Sequence, residues 1–150
     1  MKMRKLHLGV WLLFTIAFAS VSCEKEKIVG TDDLPATGST FLKEHFNNVT
    51  VLSVTKEKEG FSGTEYKVLL DNRTEVKFDK NGNWKDVDGA NNIAIPTTFI
   101  LPVIVDYVTE KYPNADFNSI EKDNGNFDVE LTNELELVFN SQGDFLRIDP

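Results

Sequence analysis

The sequence matches itself over much of its length, and this self-similarity limits the possible folds more than any other feature. At an offset of 61 positions, residues 66–88 align with residues 127–149 and share seven identities in 23 pairs. Unrelated segments of that length would share only about one or two. Residues 41–46 also align with residues 107–112, at an offset of 66. The sequence therefore predicts two tandem repeats of one structural unit.

Each repeat is predicted to contain one helix followed by four strands. Pro35 and Pro102 mark the helix starts, because proline is tolerated in the first turn, and apolar residues then follow helical spacing. Turns at Gly82 and Gly143 separate short runs of alternating apolar and polar residues. The predicted fold class is α+β, with two tandem repeats that each place a helical element beside a four-stranded antiparallel sheet. The repeats span residues 34–94 and 95–150.

The N-terminal segment has the layout of an export signal. Residues 1–22 begin with basic side chains, continue with an apolar run and end in small residues, which is typical of a signal peptide. The apolar run from Leu8 to Ala19 is shorter than the roughly 20 residues of a membrane-spanning helix, the competing interpretation. The residues that end at Cys23 resemble a bacterial lipobox, which predicts lipidation of Cys23; cleavage after Ala19 is the alternative.

Residues 23–33 have almost no apolar pattern and are predicted to form a lipidated N terminus and a flexible tether. The prediction is an exported protein of the cell envelope, attached to a membrane by lipid on its periplasmic or surface side. Removal of residues 1–22 leaves 13 Lys and Arg against 24 Asp and Glu, a net charge of −11. Such a surface repels phosphate groups, which argues against a nucleic-acid partner.

Alternation along the strands assigns the two faces of each predicted sheet. The turn in the second repeat sets Val129 opposite Leu137 and Phe127 opposite Phe139. These residues face the helices, as does Val87 in the first repeat, and their neighbours in sequence face outward. Two large aromatic side chains are then predicted on the outward face, surrounded by charge, as in many protein-binding hot spots. A register shift of one residue would instead make both part of the core. The predicted partner-binding residues are Trp84, Phe145, Lys67, Leu69, Lys77 and Arg147.

Several segments together resemble a known family. Residues 78–84, 129–131, 137–139 and 143–145 look like the corresponding segments of the PepSY-like, β-lactamase-inhibitor-like family of exported bacterial proteins. The resemblance covers residues 34–150. It implies tandem helix-and-sheet units similar to β-lactamase inhibitory protein, in which the concave face of a sheet meets the partner protein.

The sequence offers few parts for catalysis, so no catalytic residue, metal site or cofactor is predicted. After the signal peptide there is one histidine, His45, and no serine lies in a Gly-x-Ser-x-Gly turn. The predicted function is therefore non-catalytic binding of an unidentified protein or peptide, with inhibition of an enzyme as its sharpest form. The alternative is a small-ligand or calcium-binding protein that uses the acidic loops between Asp79 and Asp88. An enzyme acting through paired carboxylates ranks third.

Overall fold

A computed structural model describes residues 26–59, 63–90 and 92–149. The predicted signal peptide, residues 1–22, and the predicted lipid attachment at Cys23 lie outside the described residues. Among the residues that are described, no helix is both long enough and apolar enough to cross a membrane.

These residues form one antiparallel sheet of nine strands with two short helices, and the order of the strands in the sheet follows the chain. The strands are β1 (Lys27–Val29), β2 (Val51–Glu59), β3 (Gly63–Leu70), β4 (Thr74–Phe78), β5 (Trp84–Gly89), β6 (Phe117–Asp123), β7 (Asn126–Leu131), β8 (Glu136–Asn140) and β9 (Phe145–Asp149). The helices are α1 (Ala36–His45) and α2 (Pro102–Lys111), and a 3₁₀ turn covers Thr31–Asp33.

The predicted fold class, two repeats that each have a separate four-stranded sheet, is wrong. The central strands β5 and β6 pair through Val87 and Ile120, so all the strands belong to one sheet and the fold is mostly β. At the first edge, β1 pairs with β2 through Val29 and Val54, so the chain is ordered within the predicted tether. Both pairings give partners to backbone N–H and C=O groups that two separate sheets would leave exposed along their edges.

One row of apolar side chains crosses the helix-covered face and takes one residue from every strand. We call it the central apolar row: Val29, Val54, Val68, Val76, Val87, Ile120, Val129, Leu137 and Ile148. Its seven interior members are at most 2% exposed, whereas Ile148 at the β9 edge is 51% exposed. Because burial of a valine, leucine or isoleucine side chain contributes about 1.5–3 kcal/mol, this row is a main source of stability.

The helices pack on this face, and the tight hairpin turns fix their position. Phe41 of α1 meets Phe78 edge-on with 5.7 Å between ring centroids, and Tyr107 of α2 meets Phe139 at 5.4 Å. The turn after β4 contains Gly82, whose φ is 84°, and a Cβ atom there would lie 2.6 Å from the backbone nitrogen of Gly38 in α1. A side chain at this turn would therefore push the helix off the sheet.

Candidate partner-binding face

The two aromatic residues predicted on the outward face lie on the helix-covered face instead. Trp84 stacks on Phe41 of α1, with 6.4 Å between centroids, and meets Phe99 edge-on at 5.3 Å. Phe145 stacks on Tyr107 of α2 at 4.9 Å, with the ring planes only 13° apart. The predicted outward placement of Trp84 and Phe145 is therefore wrong.

Two β-bulges explain this placement. In β5, Trp84 lies opposite Phe78 and Asp86 lies opposite Lys77, so Lys85 is an extra residue between them. In β9, Phe145 lies opposite Phe139 and Arg147 opposite Val138, with Leu146 as the extra residue. An extra residue in one strand reverses the alternation of faces before it, and both aromatic rings turn toward the helices.

The other four predicted residues do lie on the face of the sheet that the helices leave uncovered, which we call the open face. Lys67 pairs in register with Lys77 on the neighbouring strand, and Leu69 with Glu75. Arg147 lies opposite Val138 at the far end of the sheet. The open face thus brings together Lys67, Leu69 and Lys77 at one end, with Arg147 several strands away.

Ion pairs balance the charge at the first end of the open face. The Nζ atom of Lys67 lies 3.6 Å from an oxygen of Glu57 and 3.8 Å from an oxygen of Glu75. Lys77 pairs with Asp86 at 2.8 Å, and this hydrogen bond raises the pKa of the lysine. Both lysines form ion pairs with carboxylates of the protein itself, so little unneutralised charge remains at this end to attract a partner.

A shallow acidic depression of about 340 Å³ lies on the open face beside this end. It spans strands β5 to β9, and in the described part of the chain its lining includes seven carboxylates but no lysine or arginine. The polar side chains that line this acidic depression are Asp86, Asp88, Ser119, Glu121, Asp128, Glu130, Glu136 and Asp149. The pairing of β5 with β6 builds it, because that pairing sets Asp86 beside Glu121 and Asp88 beside Ser119.

Four of these carboxyl groups have a raised pKa. Burial is the main cause for Asp88, Glu121, Asp128 and Glu130, and a neighbouring carboxylate is the next cause for each. For Glu130 that neighbour is Glu136, which lies directly opposite on β8. Their anionic forms are therefore poorly stabilised in the folded protein, and a cation placed here would relieve the repulsion.

Acidification from about pH 7 to about pH 5 is expected to stabilise the protein. A carboxyl group whose folded pKa is raised binds protons more tightly in the folded chain, so its stabilising contribution is lost as the pH rises through that pKa. We expect a higher melting temperature at the lower pH, as measured by circular dichroism. The variant Asp88→Asn/Glu121→Gln/Asp128→Asn/Glu130→Gln should lose this response. A wild-type melting temperature that falls over the same range would contradict the assignment.

The residues considered for ion binding and catalysis have structural roles. Asp79 accepts hydrogen bonds from the backbone N–H groups of Asn81 and Asn83, at 2.8 and 2.9 Å, and closes the β4–β5 turn. Burial opposes its ionisation, but the hydrogen bonds prevail and lower the pKa of Asp79. His45 Nδ1 lies 2.8 Å from the hydroxyl of Thr98. Among the described residues, no group of three His, Cys, Asp or Glu side chains is arranged to hold a metal ion.

Alternation placed the neighbours of Val87 and Val129 on the outward face, among them Asp86, Asp88, Asp128 and Glu130, but sequence analysis assigned no face to Ser119 and Glu121 of β6. These two residues join the acidic depression only because β6 pairs with β5. The alternation within β6, where Ile120 is buried and its two neighbours are not, was the available signal. It could assign a face to each residue, but it could not identify the neighbouring strand.

Comparison with known proteins identifies relatives. A family model described as "Putative beta-lactamase-inhibitor-like, PepSY-like" matches residues 64–147. A solved structure from Bacteroides thetaiotaomicron, described as a "putative calcium-regulated periplasmic protein", is similar with a TM-score of 0.78 and 32% identity, over 83% of this chain and 97% of that chain. A "putative periplasmic protein" from Bacteroides vulgatus has a TM-score of 0.76 and 32% identity, with the same two coverages.

A second Bacteroides vulgatus protein, described as a "putative periplasmic protein of unknown function", has a TM-score of 0.78 and 28% identity. The match covers 84% of this chain and 100% of that one. No curated protein matches the sequence.

Proposed function

The chain belongs to the PepSY-like family, and from this premise we propose that it is a non-catalytic protein of the cell envelope that binds a basic protein or peptide on its open face. The observation that carries the proposal is the acidic depression, with seven carboxylates from five adjacent strands. Asp86 and Asp149 are paired with Lys77 and Arg147, but the other five form no ion pair among the described residues, so the acidic depression keeps negative charge that its own cations do not neutralise. A cationic partner supplies the missing charge.

The role is binding rather than catalysis. Catalytic carboxylates work in walled pockets, whereas these carboxyl groups line a shallow depression that is open to solvent. His45, the histidine of the described chain, packs edge-on against Phe99 and bonds to Thr98 away from the acidic depression. If the partner is an enzyme that binds the open face through its own active site, that enzyme would be inhibited.

Export and membrane attachment complete the proposal. The descriptions of three structural neighbours as periplasmic proteins support an exported location. To this we add, from the sequence patterns alone, the proposal that residues 1–22 are a signal peptide and that a lipid on Cys23 is the membrane anchor. Strand β1 begins only four positions after Cys23, so a lipid there would hold the β1 edge of the sheet near the membrane.

The test is binding of a lysine-rich peptide, measured by calorimetry at low salt. Neutralising the acidic depression with Asp128→Asn/Glu130→Gln/Glu136→Gln should weaken binding at least about tenfold, since each 1.4 kcal/mol of lost interaction is a factor of ten. The matched control, Glu44→Gln/Asp106→Asn/Glu110→Gln, removes the same charge from exposed helix positions and should have little effect. Equal losses in both variants would show attraction by net charge alone and would refute a site on the open face.

Calcium provides a further arm of the experiment, because one structural neighbour is described as calcium-regulated. In our proposal the acidic depression receives a basic side chain, so millimolar calcium should act only as a weak competitor and should raise the melting temperature no more than magnesium does. A large stabilisation specific to calcium, lost in the Asp128→Asn/Glu130→Gln/Glu136→Gln variant, would instead identify an ion as the ligand.

A further inference from the structure

The last strand of the sheet has an unpaired edge. β9 pairs with β8 on one side, and among the strands that the structure describes none lies on its other side. An edge strand presents N–H and C=O groups that can pair with a further strand. Leu146 and Ile148 are also 48% and 51% exposed, so this edge offers apolar side chains beside its unpaired backbone groups.

The central apolar row ends at this edge with an exposed residue, Ile148. Its members pair strand by strand as far as Leu137 and Ile148, and Ile148 has no apolar neighbour in register beyond it. At the opposite edge, Val29 at the end of the same row is partly buried. A strand added beside β9 would extend the row by one residue and would cover Ile148.

The acidic depression reaches the same edge on the open face. Asp149 of β9 lies opposite Glu136 of β8, and both line the acidic depression. Arg147 bonds to Asp149, with 3.0 Å between Nη2 and Oδ2. A side chain opposite Asp149 on a neighbouring strand would therefore sit at the rim of the carboxylate cluster, next to a single arginine.

We propose that the partner binds as a tenth strand, an extended segment that pairs antiparallel with β9. This inference rests on the proposed function and specifies its partner. The segment carries a basic residue opposite Asp149, a β-branched apolar residue opposite Ile148 and a small polar or acidic residue opposite Arg147. Main-chain hydrogen bonds supply affinity in this mode, and alternate side chains supply specificity.

The free edge of β9 lies at the opposite end of the sheet from β1. Adjacent strands lie about 4.8 Å apart, so β9 is roughly 40 Å along the sheet from β1, the strand nearest the proposed lipid anchor. A strand added beside β9 would therefore not displace β1.

The test uses a peptide of about six residues with a central Lys-Val-Thr run, and two N-methylated versions of it. Alternate amide groups of a strand point to opposite edges, so methylation of one alternate set blocks pairing with β9 and methylation of the other set does not. We expect one methylated peptide to bind at least about tenfold more weakly and the other to bind like the parent. Equal binding of all three peptides would refute strand addition while leaving the proposed function intact.

A protein variant provides the second arm. Ile148→Ala should weaken binding of the parent peptide about tenfold, because the apolar contact across the new strand pair is lost. The matched control is Leu52→Ala, which truncates another exposed apolar side chain in the bulge of β2. Loss of binding in both variants, or in neither, would refute the β9 site. If no basic peptide binds the wild-type protein in any form, the proposed function fails as well.

Discussion

The double variant Trp84→Ala/Phe145→Ala is expected to lose about 4–6 kcal/mol of unfolding free energy, measured by urea denaturation. Each ring is partly exposed, so each truncation should fall below the range for fully buried aromatic residues. Trp84 loses its stacking on Phe41 and the cation–π contact with Lys122, whose Nζ lies 3.5 Å from the ring centroid. Phe145 loses its stacking on Tyr107, which holds α2 on the sheet.

The control for this variant lies on the open face. Lys67→Ala/Arg147→Ala removes two long, partly exposed side chains that form surface ion pairs, so the free energy of unfolding should change by at most about 1 kcal/mol. The two single variants measure the contribution of each half of the sheet, since Trp84 packs under α1 and Phe145 packs under α2. If the double variant unfolds within about 1 kcal/mol of wild type, the rings do not contribute to the core and the placement described above is wrong.

The sequence was informative wherever pairing is local. The alternation in β7 and β8 and the turn between them predicted Val129 opposite Leu137 and Phe127 opposite Phe139, and the structure confirms both pairs. Hairpin turns are short and their residue types restrict the loop length, so the register follows from a few positions. A period of two also identified the core side of most strands, including Val87 in β5.

The bulges could not be predicted from that period. Lys85 and Leu146 each insert one residue between an aromatic side chain and the charged residue that follows it on the open face. Counting in steps of two across an inserted residue reverses the face, so the aromatic side chains were placed outward. The two inserted residues lie 61 positions apart, the offset of the sequence self-similarity, so agreement between the two segments could not expose the error.

Pairing between distant segments was also beyond the sequence. Nothing local in β5 or β6 shows that the two strands meet, because α2 and its flanking loops separate them along the chain. The strand β1 has only three residues, too few for a periodic pattern, and it is stabilised by pairing with β2. The β5–β6 pairing turns the two predicted sheets into one and creates the acidic depression, and the β1–β2 pairing adds an edge strand.

The β5–β6 junction depends on a buried amide, and its removal is the second large effect that we expect. Asn118 is the extra residue of a bulge in β6 and is only 4% exposed. Its side-chain Nδ2 donates to the carbonyl of Gly89, at the end of β5, and to that of Ile93 at 3.0 Å. The amide therefore ties the connection after β5 to the strand with which β5 pairs.

Asn118→Leu should lower the free energy of unfolding by about 1–3 kcal/mol, because the carbonyl groups of Gly89 and Ile93 each lose the amide donor. The exposed Asn133, whose side chain accepts a bond from the N–H of Leu135, is the matched control, and Asn133→Ala should cost less than about 1 kcal/mol. Urea denaturation measures both variants.

Since β5–β6 pairing also builds the acidic depression, Asn118→Leu should weaken binding of the lysine-rich peptide even where the variant remains folded. A stable variant with unchanged peptide affinity would show that pairing through Val87 and Ile120 is sufficient to hold the junction, and that the amide is dispensable.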